Sequence, residues 1–309
     1  MNNNFKHHLF DADFFIEGQL AQWPLAQANY KALSRVEQRQ IDVGTYSIKV
    51  QYNPARIRST NANVSQNAIA ERPCFLCQCN RPIEQIALPF GAASGNVYQV
   101  LVNPYPIFSQ HLTIVAESHE AQHLTGRVAD MAELSRLMPQ MAIFFNGAQC
   151  GASAPDHMHF QASTLEAWHI IADFDNAKSI VLKQTTNGST CIAPHLGRLI
   201  YKIETESLQY VESELKLIME HHGIADDMIN VVMYANEANI CALVVPRKAF
   251  RPWQYAAQAN EQLLISPASA EVCGLFITPS KEHFDKLTAA DVASIFEQVC
   301  FSPSEHIKY

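Results

Sequence analysis

The chain has 309 residues, a length that accommodates one large domain or two of about 150 residues each. Hydrophobic residues make up 48% of the chain and charged residues 17%, which excludes a disordered or fibrous protein. The formal net charge is −8 and lysine and arginine form no block, so the attraction that drives binding to DNA or RNA is missing. We therefore expect a globular protein that binds no polymeric nucleic acid.

The beginning of the chain and the cysteines bear on its compartment. Residues 1–10 contain no basic segment followed by an apolar one, and no apolar stretch approaches the roughly 18 residues that span a bilayer. Cys74, Cys77 and Cys79 crowd together, whereas the other cysteines are scattered through apolar runs and are expected to be small buried side chains. The sequence thus predicts a cytoplasmic protein without a membrane partner.

The first half of the chain is predicted to mix helices and strands. The first 45 residues read as partly helical, and the residues from Thr45 alternate like a half-buried strand that ends at Asn53 and Pro54. The segments VYQVLV and HLTIVA predict two neighbouring strands around a proline-containing turn. Apolar residues at helical spacing predict a packing helix over Val128–Met141, which Pro139 bends or ends.

The second half repeats this order of elements. A helix is predicted over Ser207–His221, then two strands within residues 229–248 around a turn at Ala235–Asn239, and a final amphipathic helix within residues 286–300. Strands, then a helix, then strands in each half suggest two similar α+β units, although no residue-level repeat proves it.

The segment DHMHFQ holds the most informative polar residues. If it is a strand, His157, His159 and Gln161 point to one face, with Met158 and Phe160 on the other. On a helix the two histidines would lie about 200° apart and could not share a site. A merely solvated strand face would show the same alternation.

The loop before this segment favours a phosphate site. Residues 146–155 contain two glycines and Ser153, which can direct backbone N–H groups and a hydroxyl at a phosphate. A neutral imidazole beside such a loop is a competent nucleophile at phosphorus when its second nitrogen donates to a fixed acceptor. Gln161 can donate an amide N–H to a phosphoryl oxygen without titrating.

The motif N-G-x-x-x-G-x-S-x-P followed by H-x-H-x-Q resembles the galactose-1-phosphate uridylyltransferase branch of the histidine triad superfamily. The segment HMHFQA more closely resembles the GDP-hexose phosphorylases of the same superfamily. The segment VNPYPIFSQHLTIVAESH is similar to the strand pair that precedes the active site in these proteins. The resemblance covers roughly residues 50–170 and is weaker in the second half, where VVPRKAFRPW and SPASAEVCGLF carry it.

The resemblance implies an α+β fold of two histidine-triad-like halves, each an antiparallel sheet with packed helices. Residues 1–175 would form the catalytic half with a zinc site, and residues 190–309 a second, diverged half. Relatives in this family often pair through their sheets, so a homodimer is one option for an oligomeric state that the sequence leaves open.

The resemblance also implies roles for individual residues. His159 would be the nucleophile that forms a covalent nucleotidyl-imidazole intermediate, and Gln161 would hold the transferred phosphate. Asn146 and Ser153 would contact phosphates. Histidine triad hydrolases have a third histidine where Gln161 stands, so the glutamine favours transfer over plain hydrolysis.

Further candidate substrate contacts are less specific. They are Arg56, Arg58 and Asn103. The two arginines would share a strand face, although solvated charges at a strand end are an equal alternative. Arg247, Lys248 and Arg251 form the densest cationic cluster of the second half and would suit an anionic sugar phosphate, unless they are surface groups. His111 opens an apolar strand and is interpreted as structural.

The pair Cys74 and Cys77 supplies only half of a tetrahedral zinc shell. In the uridylyltransferases such a pair is completed by histidines that correspond to His119 and His157. Four protein ligands would make a closed, structural Zn²⁺ site. The alternatives are that Cys79 replaces a histidine or that the thiols are buried without a metal.

We therefore predict a nucleotidyltransferase or phosphorylase that acts on a nucleotide sugar or a dinucleoside polyphosphate, with a phosphate or sugar phosphate as acceptor. The alternatives are a hydrolase of nucleotide conjugates and a non-enzymatic nucleotide-binding protein. Asp156 stands between Pro155 and His157, where the uridylyltransferases have no residue, and this insertion puts the role of Ser153 in question.

Overall fold

The computed structural model describes residues 10–57, 66–175 and 179–309. Its strands, in chain order, are β1 (Glu37–Asp42), β2 (Ser47–Tyr52), β3 (Ala87–Gly91), β4 (Val97–Val102), β5 (His111–Ala116), β6 (Met141–Asn146), β7 (His159–Thr164), β8 (Ile180–Thr185), β9 (Gly188–Ile192), β10 (Tyr201–Thr205), β11 (Ile229–Asn236), β12 (Asn239–Pro246) and β13 (Leu275–Thr278). The α-helices are α1 (Ala12–Gln22), α2 (Pro24–Leu33), α3 (Gln66–Glu71), α4 (Val128–Leu137), α5 (Ile170–Asp175), α6 (Leu208–His222), α7 (Trp253–Ala256), α8 (Ser269–Val272), α9 (Lys281–Lys286) and α10 (Ala289–Val299). Among the described residues, every helix is too short or too polar to cross a bilayer.

One ten-stranded antiparallel sheet contains the order β3-β4-β5-β7-β6-β11-β12-β10-β9-β8. The sheet consists of two groups of five strands, β3 to β7 and β8 to β12. In each group the strands lie, from the outer edge of the sheet to its centre, in the order first, second, third, fifth and fourth along the chain. A helix follows the third strand of each group, α4 in the first group and α6 in the second. The two groups meet where β6 pairs with β11. The same topology therefore occurs twice in one continuous sheet, while the predicted domain limits, 1–175 and 190–309, remain a prediction.

Helices and other segments cover both faces of this sheet. Successive side chains of a strand point to opposite sides, so neighbouring apolar residues of one strand pack on different faces. Phe145 and Val231 pack on the face with α4 and α6, whereas Phe144 and Val232 pack on the face with α10. A small sheet also covers this second face. In it, β1 pairs with β2 antiparallel and β2 pairs with β13 in parallel, which joins residues distant in the sequence.

Local sequence signals explain several element ends. The helix α4 ends at Leu137, just before Pro139, which was predicted to bend or end it, whereas the apolar spacing had predicted a helix as far as Met141. The N-cap of α6 is Ser207, whose side chain accepts a hydrogen bond from the Tyr210 N–H, and Gly223 ends this helix at a φ of 61°.

Two predictions about strands were wrong. The strand β2 ends at Tyr52, and Arg56 lies in a 3₁₀ turn over Pro54–Arg56, so Arg56 does not alternate along a strand; Arg58 lies outside the described residues. The strand β7 begins at His159, not at Asp156, because the backbone forms a turn at Asp156 and a bend at His157. Strand alternation therefore relates only His159 and Gln161.

Candidate active site and metal centre

A cavity of about 500 Å³ opens where β6 ends and β7 begins. Its wall combines the loop after β6, the turn between β4 and β5, and segments of the second half around α8. The predicted site residues that line it are Arg56, Asn103, Asn146, Ser153, His159 and Gln161.

His159 lies in this wall with one ring nitrogen already used. Its side chain is buried, and Nδ1 lies 2.8 Å from the backbone carbonyl oxygen of His157, to which it donates its proton. Nε2 therefore carries the free lone pair. Burial lowers the pKa of His159 to about 4, against a smaller opposing effect of that carbonyl hydrogen bond, so the imidazole is neutral at pH 7. A neutral ring with a fixed tautomer meets the requirement for a nucleophile.

Gln122 holds the backbone around His159, and the sequence pattern did not point to it. Its Oε1 accepts from the His159 N–H at 2.8 Å, while its Nε2 donates to the carbonyl oxygens of His159 and Asn146 at 2.9 and 3.0 Å. Because Gln122 is buried, these bonds have no competition from water. One carboxamide thus ties the start of β7 to the end of β6.

Gln161 is oriented by a histidine from the neighbouring strand. His111 Nε2 donates to Gln161 Oε1 at 3.0 Å, and His111 Nδ1 accepts from the Ile107 N–H at 3.3 Å. Burial, and after it the charge of Arg56, lowers the pKa of His111 to about 3, which keeps the donor tautomer neutral. The Gln161 amide therefore has its N–H₂ group left for the cavity. His111 is structural, as predicted, and its contact also positions a cavity residue.

The loop after β6 lies against the second half of the chain. A Cβ at Gly147 would lie 2.5 Å from the Asp227 carbonyl oxygen, and a Cβ at Gly151 would lie 2.3 Å from Ala268 Cβ. Only glycine permits these approaches. Among the described residues, no acceptor is found for the N–H groups of Gly151 and Ser153, which both line the cavity. These groups can bind an anion.

Two polar side chains at the cavity are committed to the protein itself. Asn146 Oδ1 accepts from Asn230 Nδ2 and from the N–H and hydroxyl of Ser269, so only its amide N–H₂ remains for a ligand. Asn103 accepts from the Tyr105 N–H and donates to Thr113, and it therefore supports the turn. Asp156 forms an ion pair with Arg72 at 2.6 Å and does not line the cavity, whereas Ser153 does.

The charged residues of the wall come from both halves. Arg56 donates to the Tyr105 carbonyl oxygen at 2.8 Å, and Arg251 stacks on the rings of Phe250 and Tyr255. Glu271, which the sequence did not point to, is buried in the same wall, and burial raises its pKa to about 7.

The predicted cationic cluster of the second half does not form one site. Only Arg251 lines the cavity. Arg247 is fully buried, and its guanidinium donates to the carbonyl oxygens of Val299 and Pro267 and to the side chain of Asn230. It is a structural residue.

The four predicted metal ligands lie together beside the cavity. The ligand atoms of Cys74, Cys77, His119 and His157 are all within 4.8 Å of one another. His157 Nδ1 lies 3.2 Å from Cys74 Sγ, and His119 Nδ1 lies 3.2 Å from Cys77 Sγ. His157 Nε2 donates to the Ala116 carbonyl oxygen at 2.9 Å, so in the neutral ring Nδ1 presents its lone pair to the sulfurs.

The electrostatics of this cluster favour a thiolate at Cys74, whereas burial and the neighbouring Cys74 raise the pKa of Cys77 to about 11. Burial works to raise the pKa of Cys74, but a hydrogen bond from the doubly protonated His157 ring, together with hydrogen bonds from backbone N–H groups, outweighs it and lowers that pKa to about 7. Thiolates and neutral imidazoles are metal ligands, so this group could hold a metal ion. Cys79 is exposed and is not part of it.

Comparisons with known proteins place the fold. Residues 15–164 match the family model described as "Domain of unknown function (DUF4922)". No curated protein sequence matches the chain. The structure of yeast Ap4A phosphorylase Apa2 in complex with Ap4A is similar, with a TM-score of 0.57 and 15% identity over 90% of this chain and 96% of that one. A second structure of Apa2 gives 0.56 and 15%, covering 90% and 97%.

A DUF4931 family protein from Bacillus cereus ATCC 10987 is also similar, with a TM-score of 0.41 and 15% identity over 57% of this chain and 94% of that one. The likeness to Apa2 extends over nearly the whole of both chains. It confirms the expected α+β, histidine-triad-like fold class, with antiparallel strands and packed helices.

Proposed function

We propose that the protein is a nucleotidyltransferase or phosphorylase that acts on a nucleotide sugar or a dinucleoside polyphosphate through a covalent nucleotidyl-His159 intermediate. The observation that carries this proposal is the state of His159 in the cavity wall. Its Nδ1–H is fixed on the His157 carbonyl oxygen, and its Nε2 lone pair is left for a substrate.

In the first step, His159 Nε2 attacks the α-phosphorus of the nucleotide substrate. A bond forms between nitrogen and phosphorus, and the bond from phosphorus to the leaving phosphate oxygen breaks. The leaving group departs with the electron pair, as a sugar phosphate from a nucleotide sugar or as a nucleoside polyphosphate from a dinucleoside polyphosphate. The positive charge that develops on the ring is stabilised at Nδ1 by the hydrogen bond to the His157 carbonyl oxygen.

In the second step, an oxygen of the acceptor phosphate attacks the same phosphorus. The nitrogen–phosphorus bond breaks, its electron pair returns to Nε2, and the neutral imidazole is restored. Two displacements at one phosphorus give ping-pong kinetics. A phosphate acceptor makes the enzyme a phosphorylase, and a sugar phosphate makes it a transferase.

Cavity donors suit the charge on the transferred phosphoryl group. The Gln161 amide, whose oxygen is held by His111, would donate to one phosphoryl oxygen. The N–H groups of Gly151 and Ser153 and the Arg56 guanidinium would bind others. These donors are held by the fold before substrate binds, so little reorganisation accompanies the reaction.

The metal centre would be a structural Zn²⁺ site. On tetrahedral zinc, a sulfur ligand at about 2.3 Å and a nitrogen ligand at about 2.0 Å lie about 3.5 Å apart. The Cys74–His157 and Cys77–His119 separations of 3.2 Å are near this value. A bound ion would supply structural cross-linking only, since four protein ligands leave no open position. It would secure His157, whose carbonyl oxygen holds His159.

A dinucleoside polyphosphate is supported as a substrate by the fold of Apa2, a phosphorylase whose structure contains Ap4A. The base, the sugar and the acceptor are left to experiment. A cytoplasmic location and a homodimer also remain predictions from the sequence.

The intermediate can be tested directly. Purified protein is incubated with Ap4A or with nucleotide sugars and analysed by intact mass at neutral pH. We expect a nucleoside monophosphate adduct that acid removes and that is absent from His159→Ala. His221→Ala, at an exposed histidine outside the cavity, should still form it.

Product analysis with and without phosphate separates the related activities. Formation of a nucleoside diphosphate that requires added phosphate identifies a phosphorylase, whereas a monophosphate formed without it identifies a hydrolase. Absence of both adduct and turnover across the substrates would rule out the proposal and favour a nucleotide-binding protein.

A further inference from the structure

A second cavity, of about 220 Å³, lies on the other side of α8. Segments from β1, β2, α5 and the loop before β13 surround it, and Ala270 is a wall residue of both cavities. The charged and titratable residues that line it are Tyr46, Lys49, His169, Asp173, Arg198 and Cys273.

Arg198 forms the buried part of this cavity. Only 2% of its surface is exposed. Nε donates to the Val272 carbonyl oxygen and Nη1 to the Leu196 carbonyl oxygen, each at 2.6 Å, and the guanidinium stacks 4.2 Å from the centre of the Phe296 ring. Nη2 has no acceptor among the described residues. These residues also provide no carboxylate within ion-pair distance of Arg198, which remains charged at any physiological pH.

Gly274 keeps this nitrogen accessible. Its φ is +100°, and a Cβ built at this position would lie 3.8 Å from Arg198 Nη2. A side chain here would therefore contact the guanidinium nitrogen that lacks an acceptor. Glycine leaves room for a ligand atom instead.

Lys49 adds a positive charge to this cavity, and the neutral His169 ring lies beside it. The Lys49 ammonium donates to His169 Nε2, and neither residue has a carboxylate partner within ion-pair distance among the described residues. Asp173 is exposed and is the single acidic residue of the wall. The cavity thus contains two fixed cations and one carboxylate in a protein whose net charge is −8.

We propose that this cavity binds the phosphate group of a small anion, with Arg198 Nη2 and Lys49 Nζ as donors. A buried guanidinium without a counter-ion is costly, and an oxyanion offers the acceptors that the protein does not provide. The site is separate from the cavity of His159 and does not depend on the proposed function. The source of the phosphate group is either inorganic phosphate or a nucleotide such as ADP.

Trp168 lines this cavity, whereas Trp23 lines the other one, so Trp168 fluorescence can report on the proposed site. In a chain carrying Trp23→Phe and Trp253→Phe, phosphate and ADP are titrated separately at constant ionic strength. We expect a saturable change in Trp168 emission from at least one of them and none from chloride. The tighter ligand identifies the source of the phosphate group.

Variants then locate the binding. Lys49→Gln should weaken the affinity about tenfold or more, since it removes a charge-assisted hydrogen bond. Arg56→Gln, in the other cavity, should leave it unchanged. Circular dichroism shows whether each variant is folded. If Lys49→Gln does not fold, Lys49→Met is used in its place, because methionine retains the aliphatic part of the lysine side chain. No saturable change, an equal change with chloride, or an affinity that follows Arg56 and not Lys49 would overturn the site. Activity is not measured, so such a result leaves the proposed function standing.

Discussion

Replacing Glu271 with glutamine tests whether a protonatable carboxyl is buried in the wall of the His159 cavity. Glu271 is 7% exposed, and its Oε2 accepts a hydrogen bond from the Ala268 N–H at 2.9 Å. Burial raises its pKa from the ordinary value of 4.5 to about 7, against weaker opposing effects of that hydrogen bond and of nearby arginines. Glutamine preserves the shape and the acceptor but cannot ionise.

The size of the effect follows from proton linkage. The unfolded carboxyl loses its proton near pH 4.5, whereas the folded one retains it until about pH 7, so the folded state binds more protons between these values. Stability conferred by the proton is complete below pH 4.5 and is lost as pH rises through about 7. A difference of about 2.5 in pKa corresponds to about 3 kcal/mol, of which about 2.5 kcal/mol falls between pH 5 and pH 8.

Urea unfolding at pH 5 and pH 8 measures this loss. We expect the free energy of unfolding of the unmodified protein to fall by about 2.5 kcal/mol more over this interval than that of Glu271→Gln. Glu212→Gln, at an exposed glutamate of α6, should retain the full pH dependence. Equal pH dependence in Glu271→Gln and the unmodified protein would refute the reasoning, because the carboxyl would then ionise as it does in water.

Three further predictions concern the residues around His159. Gln122→Ala removes three buried hydrogen bonds and should lower the free energy of unfolding in urea by about 3 kcal/mol. The control variant Gln258→Ala, at an exposed glutamine, should change this free energy little. Similar losses in the two variants would mean that the Gln122 hydrogen bonds contribute nothing to stability. Cys74→Ser should lower the metal content measured by mass spectrometry, and a chelator should no longer lower its melting temperature. Cys79→Ser should behave like the unmodified protein in both measurements. Equal metal content in both variants would exclude the predicted ligand set. His111→Phe should slow adduct formation about tenfold with metal content unchanged, since Gln161 loses the donor that orients it. An unaltered rate would show that adduct formation does not depend on this orientation of Gln161.

Features that depend on local sequence were predicted well. The strands β4, β5, β11 and β12 and the helices α4, α6 and α10 were all expected near their observed positions, because periodicity and capping residues are visible within a short window. The start of β7 was missed because its neighbouring residues are shaped by contacts with distant segments: the Met158 N–H donates to the Glu120 carbonyl oxygen.

The sequence by itself determined that the chain forms an α+β protein, and its motifs brought His159, Gln161 and the candidate metal ligands to attention. Only the tertiary structure decided the environment that gives these groups their chemistry. Glu271 lines the cavity, and Gln122 and Ser269 hold cavity residues, from segments that local pattern does not connect to the site; Ser269 and Asn146 are 123 residues apart. The physical reason is that burial and hydrogen bonding set tautomers and pKa values, and both depend on which distant segments pack together.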